Sequence, residues 1–172
     1  MPRARALSTE LVAVERLGGT KFLLTDKTGT LTKNEMTVEQ VLVGRTLSNV
    51  TGTGYETNGA IVKGPAGRQL SATALKDLEL FFATGALASN AKVNEPDAEH
   101  ASWYVLGDPT EGALITLARK AALDPEAWDI ANPELKEFLF DSARKMLSSF
   151  RRRSDQIVSF TKAAPEAVLA PR

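Results

Sequence analysis

Apolar positions along the chain change rhythm several times, and each change marks an element. Leu7, Leu11, Val12, Val14 and Leu17 recur at mixed helical spacing over residues 1–19 and stop at Gly18-Gly19, which predicts a weakly amphipathic helix. Residues 21–25 are a short, apolar, β-favouring run, and residues 36–43 read as another strand. Residues 46–64, rich in Gly and Thr, suggest a hairpin or meander. Over residues 73–89, Leu75, Leu78, Phe82 and Ala86 share one face, as an amphipathic helix requires. Residues 90–102 are polar, contain Pro96 and read as a loop, and residues 103–106 read as a short strand. Asp108, Pro109 and Glu111 then form a helix start, with Asp108 as cap and Glu111 completing a capping box. That helix is expected to run to about residue 122, with short helical turns starting at Pro125 and Pro133. Three β-type runs, 137–140, 146–151 and 156–161, are separated by turn-forming segments and predict an antiparallel meander. Residues 162–169 pass from a strand end into a short helix.

Composition narrows the class. Hydrophobic residues make up 43% of 172, enough for a packed core. Lys plus Arg number 21 and Asp plus Glu number 21, a balance that gives no support to a nucleic-acid or membrane-surface partner. Arg151-Arg152-Arg153 reads as a solvated turn. Cysteine is absent, which excludes disulfides and thiolate metal sites, and His100 is the only histidine. No apolar run approaches the roughly 18–20 residues that span a bilayer. The longest, residues 78–88, is broken by Glu79, Thr84 and Gly85. The basic start is not followed by a long apolar segment, so a secretory signal is not expected and the chain reads as soluble.

The candidate chemistry begins at residues 26–32, Asp-Lys-Thr-Gly-Thr-Leu-Thr. An apolar strand ending in Asp, Gly and hydroxyl residues delivers a carboxylate to an exposed strand tip, where open α/β sheets bind ligands. Such a carboxylate can attack a phosphoryl group, and Thr28, Thr30 and the turn at Gly29 supply donors to it. The same residues also make an ordinary surface turn.

Residues 25–32 resemble the phosphorylation signature of P-type cation-transporting ATPases. The resemblance implies that Asp26 is the nucleophile that takes the γ-phosphate of ATP, and that Asp26 and the backbone carbonyl of Thr28 help hold Mg²⁺. Related soluble phosphatases of the haloacid-dehalogenase type usually place a second Asp, a general acid and base, two residues after the nucleophile. Thr28 stands there instead. This favours an aspartyl phosphate that persists, which suits a pump better than a phosphatase.

No Gly-x-x-x-x-Gly-Lys-Ser/Thr loop is present, so nucleotide must be held otherwise. Three segments resemble motifs of the P-type nucleotide-binding domain. In residues 107–113 the resemblance places Glu111 at the adenine end. In residues 140–148 it implies that Phe140 stacks on adenine and that Lys145 meets the phosphates, with Ser142 as a further contact. In residues 161–166 Lys162 lines the adenosine pocket, and Ala163 replaces the family's usual glycine. A glycine needed for positive φ or close ligand approach makes that replacement costly.

The resemblance covers most of residues 12–169 and lies on the calcium-pump and sodium-potassium-pump side of the family. It implies an α+β fold. Residues 1–35 would be a stalk end and a short piece of the α/β haloacid-dehalogenase-like phosphorylation domain. Residues 36–172 would be the nucleotide-binding domain, an antiparallel β-sheet flanked by helices. Implied partners are ATP or ADP, Mg²⁺, and the remainder of a pump on the cytoplasmic side of a membrane. The transported cation belongs to the intact protein only. The 172 residues by themselves are expected to bind nucleotide without turnover, because the family's later phosphate-binding Lys and Asp-rich Mg²⁺ site are not among them. A soluble aspartyl phosphatase and a regulatory module with a degenerate pocket are the other readings.

Overall fold

The computed structural model describes residues 12, 16, 18–64 and 67–169. The helix expected over residues 1–19 lies largely outside them. The chain divides into two units between Asn34 and Glu35. In the first, the strand expected over residues 21–25 is not formed. Phe22 and Leu24 are 88% and 98% exposed. A strand exists only as half of a hydrogen-bonded pair, and no described segment of this unit pairs with the run.

The second unit is α+β, with three antiparallel sheets flanked by helices. Strands β1 (Gln40–Val43), β2 (Thr46–Val50), β3 (Ile61–Lys63) and β4 (Arg68–Gln69) form a meander in chain order. The strand expected from residue 36 starts only at Gln40, because Met36 and Thr37 are engaged elsewhere. The Met36 N–H donates to the Tyr55 hydroxyl (3.2 Å), and the Thr37 hydroxyl accepts from the Gly54 N–H (2.9 Å). The helix expected over residues 73–89 is two helices, α1 (Ala72–Asp77) and α2 (Glu79–Leu87), which meet at Leu78. The expected loop after it contains β5 (Lys92–Asn94), which pairs with β6 (Tyr104–Leu106). Only Val93 of β5 is buried, so the strand carries almost no apolar signal.

Helix α3 (Pro109–Lys120) follows the expected cap. It closes with Ala122 at φ +61°, the Leu123 N–H donating to Ala118 O and the Ala122 N–H to Arg119 O, a Schellman ending. Buried Lys120 donates from Nζ to Thr51 O (3.0 Å), tying the β2–β3 loop to this helix, and loss of water pulls its pKa down. Helix α4 (Pro125–Ala131) comes next. Then β7 (Glu134–Asp141), β8 (Met146–Arg153) and β9 (Gln156–Ala163) form the expected meander, and α5 (Pro165–Leu169) ends it. β7 begins where a helical turn at Pro133 was expected.

The main core gathers Val41, Ile61, Phe82, Ala83, Ile115 and Ala118 from the first sheet, α2 and α3. A smaller cluster of Leu87, Ala88, Leu147 and Phe160 seats α2 on the β7–β9 sheet. Arg151, expected in a solvated turn, is instead a buried residue of β8 with a 6% exposed side chain. Its guanidinium donates to Asp129 Oδ1 (2.5 Å), Asn132 O (3.1 Å), Leu87 O (3.1 Å), Glu134 Oε2 (3.4 Å) and Ser149 Oγ (2.9 Å). A run of three arginines looks uniform in sequence, but alternation turns Arg151 away from Arg152, and Arg153, on the face of Arg151, lies exposed at the strand end over Trp128.

Gly112 sets how closely α3 approaches β6. A Cβ there would overlap Val105, coming within 2.9 Å of Cγ1. Gly112→Ala is therefore expected to cost about 1–3 kcal/mol by overpacking, read as a lower urea midpoint with an unchanged slope.

Candidate functional site

The candidate residues lie in four places in the chain, three in the second unit and one in the first. The first is the start of α3. Asp108 Oδ1 accepts from the N–H groups of Thr110 (2.8 Å) and Glu111 (3.2 Å), as a helix cap should. The reciprocal half of the expected capping box is not formed. Glu111 instead reaches the segment after α2, where Oε2 accepts from the N–H groups of Asn90 (2.8 Å) and Ala91 (3.0 Å). Those two amides are a better-placed donor pair than the single N–H at the cap.

The second is the end of β9. Lys162 Nζ donates to Glu111 Oε1 at 2.5 Å and to Ser89 Oγ at 3.3 Å. The side chains are 23% and 12% exposed, so this is a largely sheltered ion pair. Ser89 and Asn90 belong to the segment read only as helix end and loop, and their part in the network had no sequence signal. Asn90 Nδ2 also holds Glu137 Oε1 at 2.6 Å.

The third is β7, where register decides which way Phe140 faces. Phe138 lies opposite Ser148 and Asp141 opposite Met146, so three steps on β7 answer two on β8. This one-residue bulge flips the alternation. Phe138 stays on the face of Ser148, where it meets Phe150 edge-on with ring centroids 5.6 Å apart. Phe140 falls on the opposite face, that of the paired Leu147 and Lys162. It is 62% exposed there, an unusual position for a phenylalanine with no partner.

Asp108, Thr110, Glu111, Leu114, Phe140, Lys162, Ala163 and Ala164 together line a cavity of about 460 Å³. Three of the five residues expected to hold nucleotide, Glu111, Phe140 and Lys162, meet in it. The other two lie outside its lining. Ser142 is in the exposed β7–β8 turn, and Lys145 pairs with Glu166 Oε1 at 2.9 Å. Ala163 ends β9 and is not among the residues with positive φ, so the expected backbone strain does not arise. A larger cavity, about 700 Å³, lies beside Arg151, but the charges of Arg151, Asp129 and Glu134 in its wall already satisfy one another.

The fourth place is residues 26–32 of the first unit. The Lys27 N–H donates to Asp26 Oδ1 (2.7 Å), the Leu31 N–H donates to Lys27 O (3.0 Å), and Gly29 takes φ +76°. The result is a closed turn with the Asp26 carboxylate exposed. The backbone carbonyl of Thr28 accepts no hydrogen bond among the described residues. A carboxylate and a free carbonyl are hard oxygen donors of the kind that hold Mg²⁺ alongside phosphate and water. His100 does no such work: it stacks on Tyr104 and bonds Asp97 at 2.9 Å. Bonds from Tyr104 and His100 hold the Asp97 carboxyl well below the usual range.

Residues 77–171 match the family model described as P-type ATPase, cytoplasmic domain N. A calcium-transporting ATPase of Bacillus subtilis is 37% identical over 98% of this chain and 18% of its own length. A probable cation-transporting ATPase F of Mycobacterium bovis is 32% identical, again over 98% of this chain and 18% of its own. The human calcium-transporting ATPase type 2C member 2 is 33% identical over 98% of this chain and 17% of its own. The chain thus spans under a fifth of the length of these relatives.

Glu111 holds the α2 end, α3 and β9 together. Glu111→Ala leaves two backbone N–H groups and an ammonium without their acceptor and is expected to cost about 2–4 kcal/mol. Glu111→Gln keeps an acceptor and is expected to cost less than half as much. Urea unfolding of the two variants separates these outcomes.

Proposed function

The chain belongs to the P-type ATPase family, and on that premise we propose that residues 35–169 bind the nucleotide of a cation pump. What supports the reading is the meeting of Glu111, Phe140 and Lys162, which lie far apart in sequence, in one cavity of about 460 Å³. An exposed aromatic face offers stacking to a purine, worth about 1–3 kcal/mol per base. The Glu111 carboxylate beside it is an acceptor for an exocyclic amine. Leu114 and Ala163 supply apolar wall.

In the whole pump Asp26 would attack the γ-phosphoryl group. An Asp26 oxygen–phosphorus bond forms, the bond to the β-phosphate oxygen breaks, and ADP leaves. Asp26 and the Thr28 carbonyl would hold Mg²⁺, which supplies positive charge to the transferring phosphoryl group. Thr28 offers no carboxylate to activate water, so the acyl phosphate persists until a later step consumes it. Transport of a cation, and a place on the cytoplasmic side of a membrane, belong to that whole protein. No helix among the described residues is long and apolar enough to cross a membrane.

The 172-residue polypeptide is expected to bind ATP and ADP weakly and not to turn ATP over. Its Asp26 carboxylate is exposed and ion-paired with no cation among the described residues, so little stabilises the charge that develops on transfer. Calorimetric titration of Phe140→Ala should show affinity lower by about 1–3 kcal/mol, and Lys162→Ala should also weaken binding. Unchanged affinity in both places the pocket elsewhere. Acid-stable labelling of Asp26 by γ-labelled ATP with Mg²⁺ would contradict the absence of turnover.

A further inference from the structure

The cavity's own charges do not favour a polyphosphate. Its lining carries two carboxylates, Asp108 and Glu111, and one cation, Lys162, already committed to Glu111 at 2.5 Å. A further cation whose backbone is tied to the cavity wall is Lys145. Its carbonyl accepts from the N–H of the lining residue Ala164 (3.0 Å), and its own N–H donates to Asp141 O (2.6 Å). These bonds hold Lys145 at φ +53°, a left-handed conformation that a lysine adopts only when its surroundings impose it. From that clamp its ammonium reaches Glu166 Oε1 at 2.9 Å.

Resting on the nucleotide reading, we infer that Glu166 is a displaceable counter-ion. It parks Lys145 beside the cavity and yields it to the phosphates of the bound nucleotide, so it sets how much those phosphates add to affinity. The pair is suited to exchange. Both side chains are more than half exposed, 53% and 64%, so the bond is weak. A phosphate offers the same ammonium more charge and more acceptor oxygens. Lys145 holds the Glu166 carboxyl below its ordinary range, so Glu166 is ionised at neutral pH and competes whenever nucleotide binds. The clamp on the backbone means that exchange needs only side-chain rotation. Glu166 is thus a positioning residue, and its signature is a difference between ligands that share a base and differ in phosphate.

The test is calorimetric titration of the 172-residue chain with adenosine and with ATP, at low salt. Glu166→Gln removes the competing charge and keeps the side chain's size. The expected result is ATP affinity raised about two- to five-fold, the range of an exposed ion pair, with adenosine affinity unchanged. In the double variant Glu166→Gln, Lys145→Gln that gain should disappear. An ATP-to-adenosine ratio unchanged by Glu166→Gln overturns the inference and leaves the cavity reading standing. A rise shared equally by both ligands also overturns it, because Glu166 would then act on cavity shape. No binding of either ligand overturns the cavity reading and the inference with it.

Discussion

The buried guanidinium of Arg151 is the constraint on which the second unit's arrangement depends. A charge in a protein interior is tolerated only when its hydrogen-bonding capacity is met. Arg151 meets it by drawing partners from the end of α2, from α4, from the loop after it, from Glu134 of β7 and from Ser149 of its own strand. Each partner is thereby fixed relative to β8. The carbonyl it holds on α2 belongs to Leu87, two residues before Ser89 and three before Asn90. Those are the groups that receive Lys162 and Glu111. The site therefore stands on an anchor that lies outside it.

The site itself is built with its charges already answered. Glu111 and Lys162 neutralise each other, Glu111 holds two backbone amides, and Lys145 rests on Glu166. Phe140 is the exception, an apolar ring left facing water. Prepared polar groups and one uncovered aromatic surface are the features on which the proposed base binding rests. Phosphate recognition, on the inference above, would draw on the exchange of Lys145 between Glu166 and the ligand.

Much of this was legible in the residues. The Asp-Pro helix start announced α3, and turn composition announced the β7–β9 meander. Motif wording brought Glu111, Phe140 and Lys162 to one site before any contact was known. What escaped had physical reasons. β5 has one buried apolar residue and looks like loop. Residues 21–25 have strand composition but no described partner, and pairing is not a property of a single segment. Arg151 resembles Arg152 and Arg153 until alternation separates it from the one and the strand end from the other. Glu111 has a good local partner at its own cap, and the competing amides of Asn90 and Ala91 are 20 residues away in sequence. Of the two grounds on which Ala163 looked costly, positive φ and close ligand approach, the extended backbone of β9 removes the first.

The bulge in β7 makes the register between Phe138 and Asp141 matter more than the kind of residue that stands between them. Leu139 is exposed and its side chain has little to lose, so substitutions there should look harmless in a mutational survey. Were the two strands to pair at the same length without the bulge, strict alternation would turn the ring of Phe140 to the far side of the sheet. The aromatic wall of the cavity is then a property of strand register as much as of the side chain that supplies it. A change that slides β7 by one residue against β8 would remove that wall without touching the ring itself.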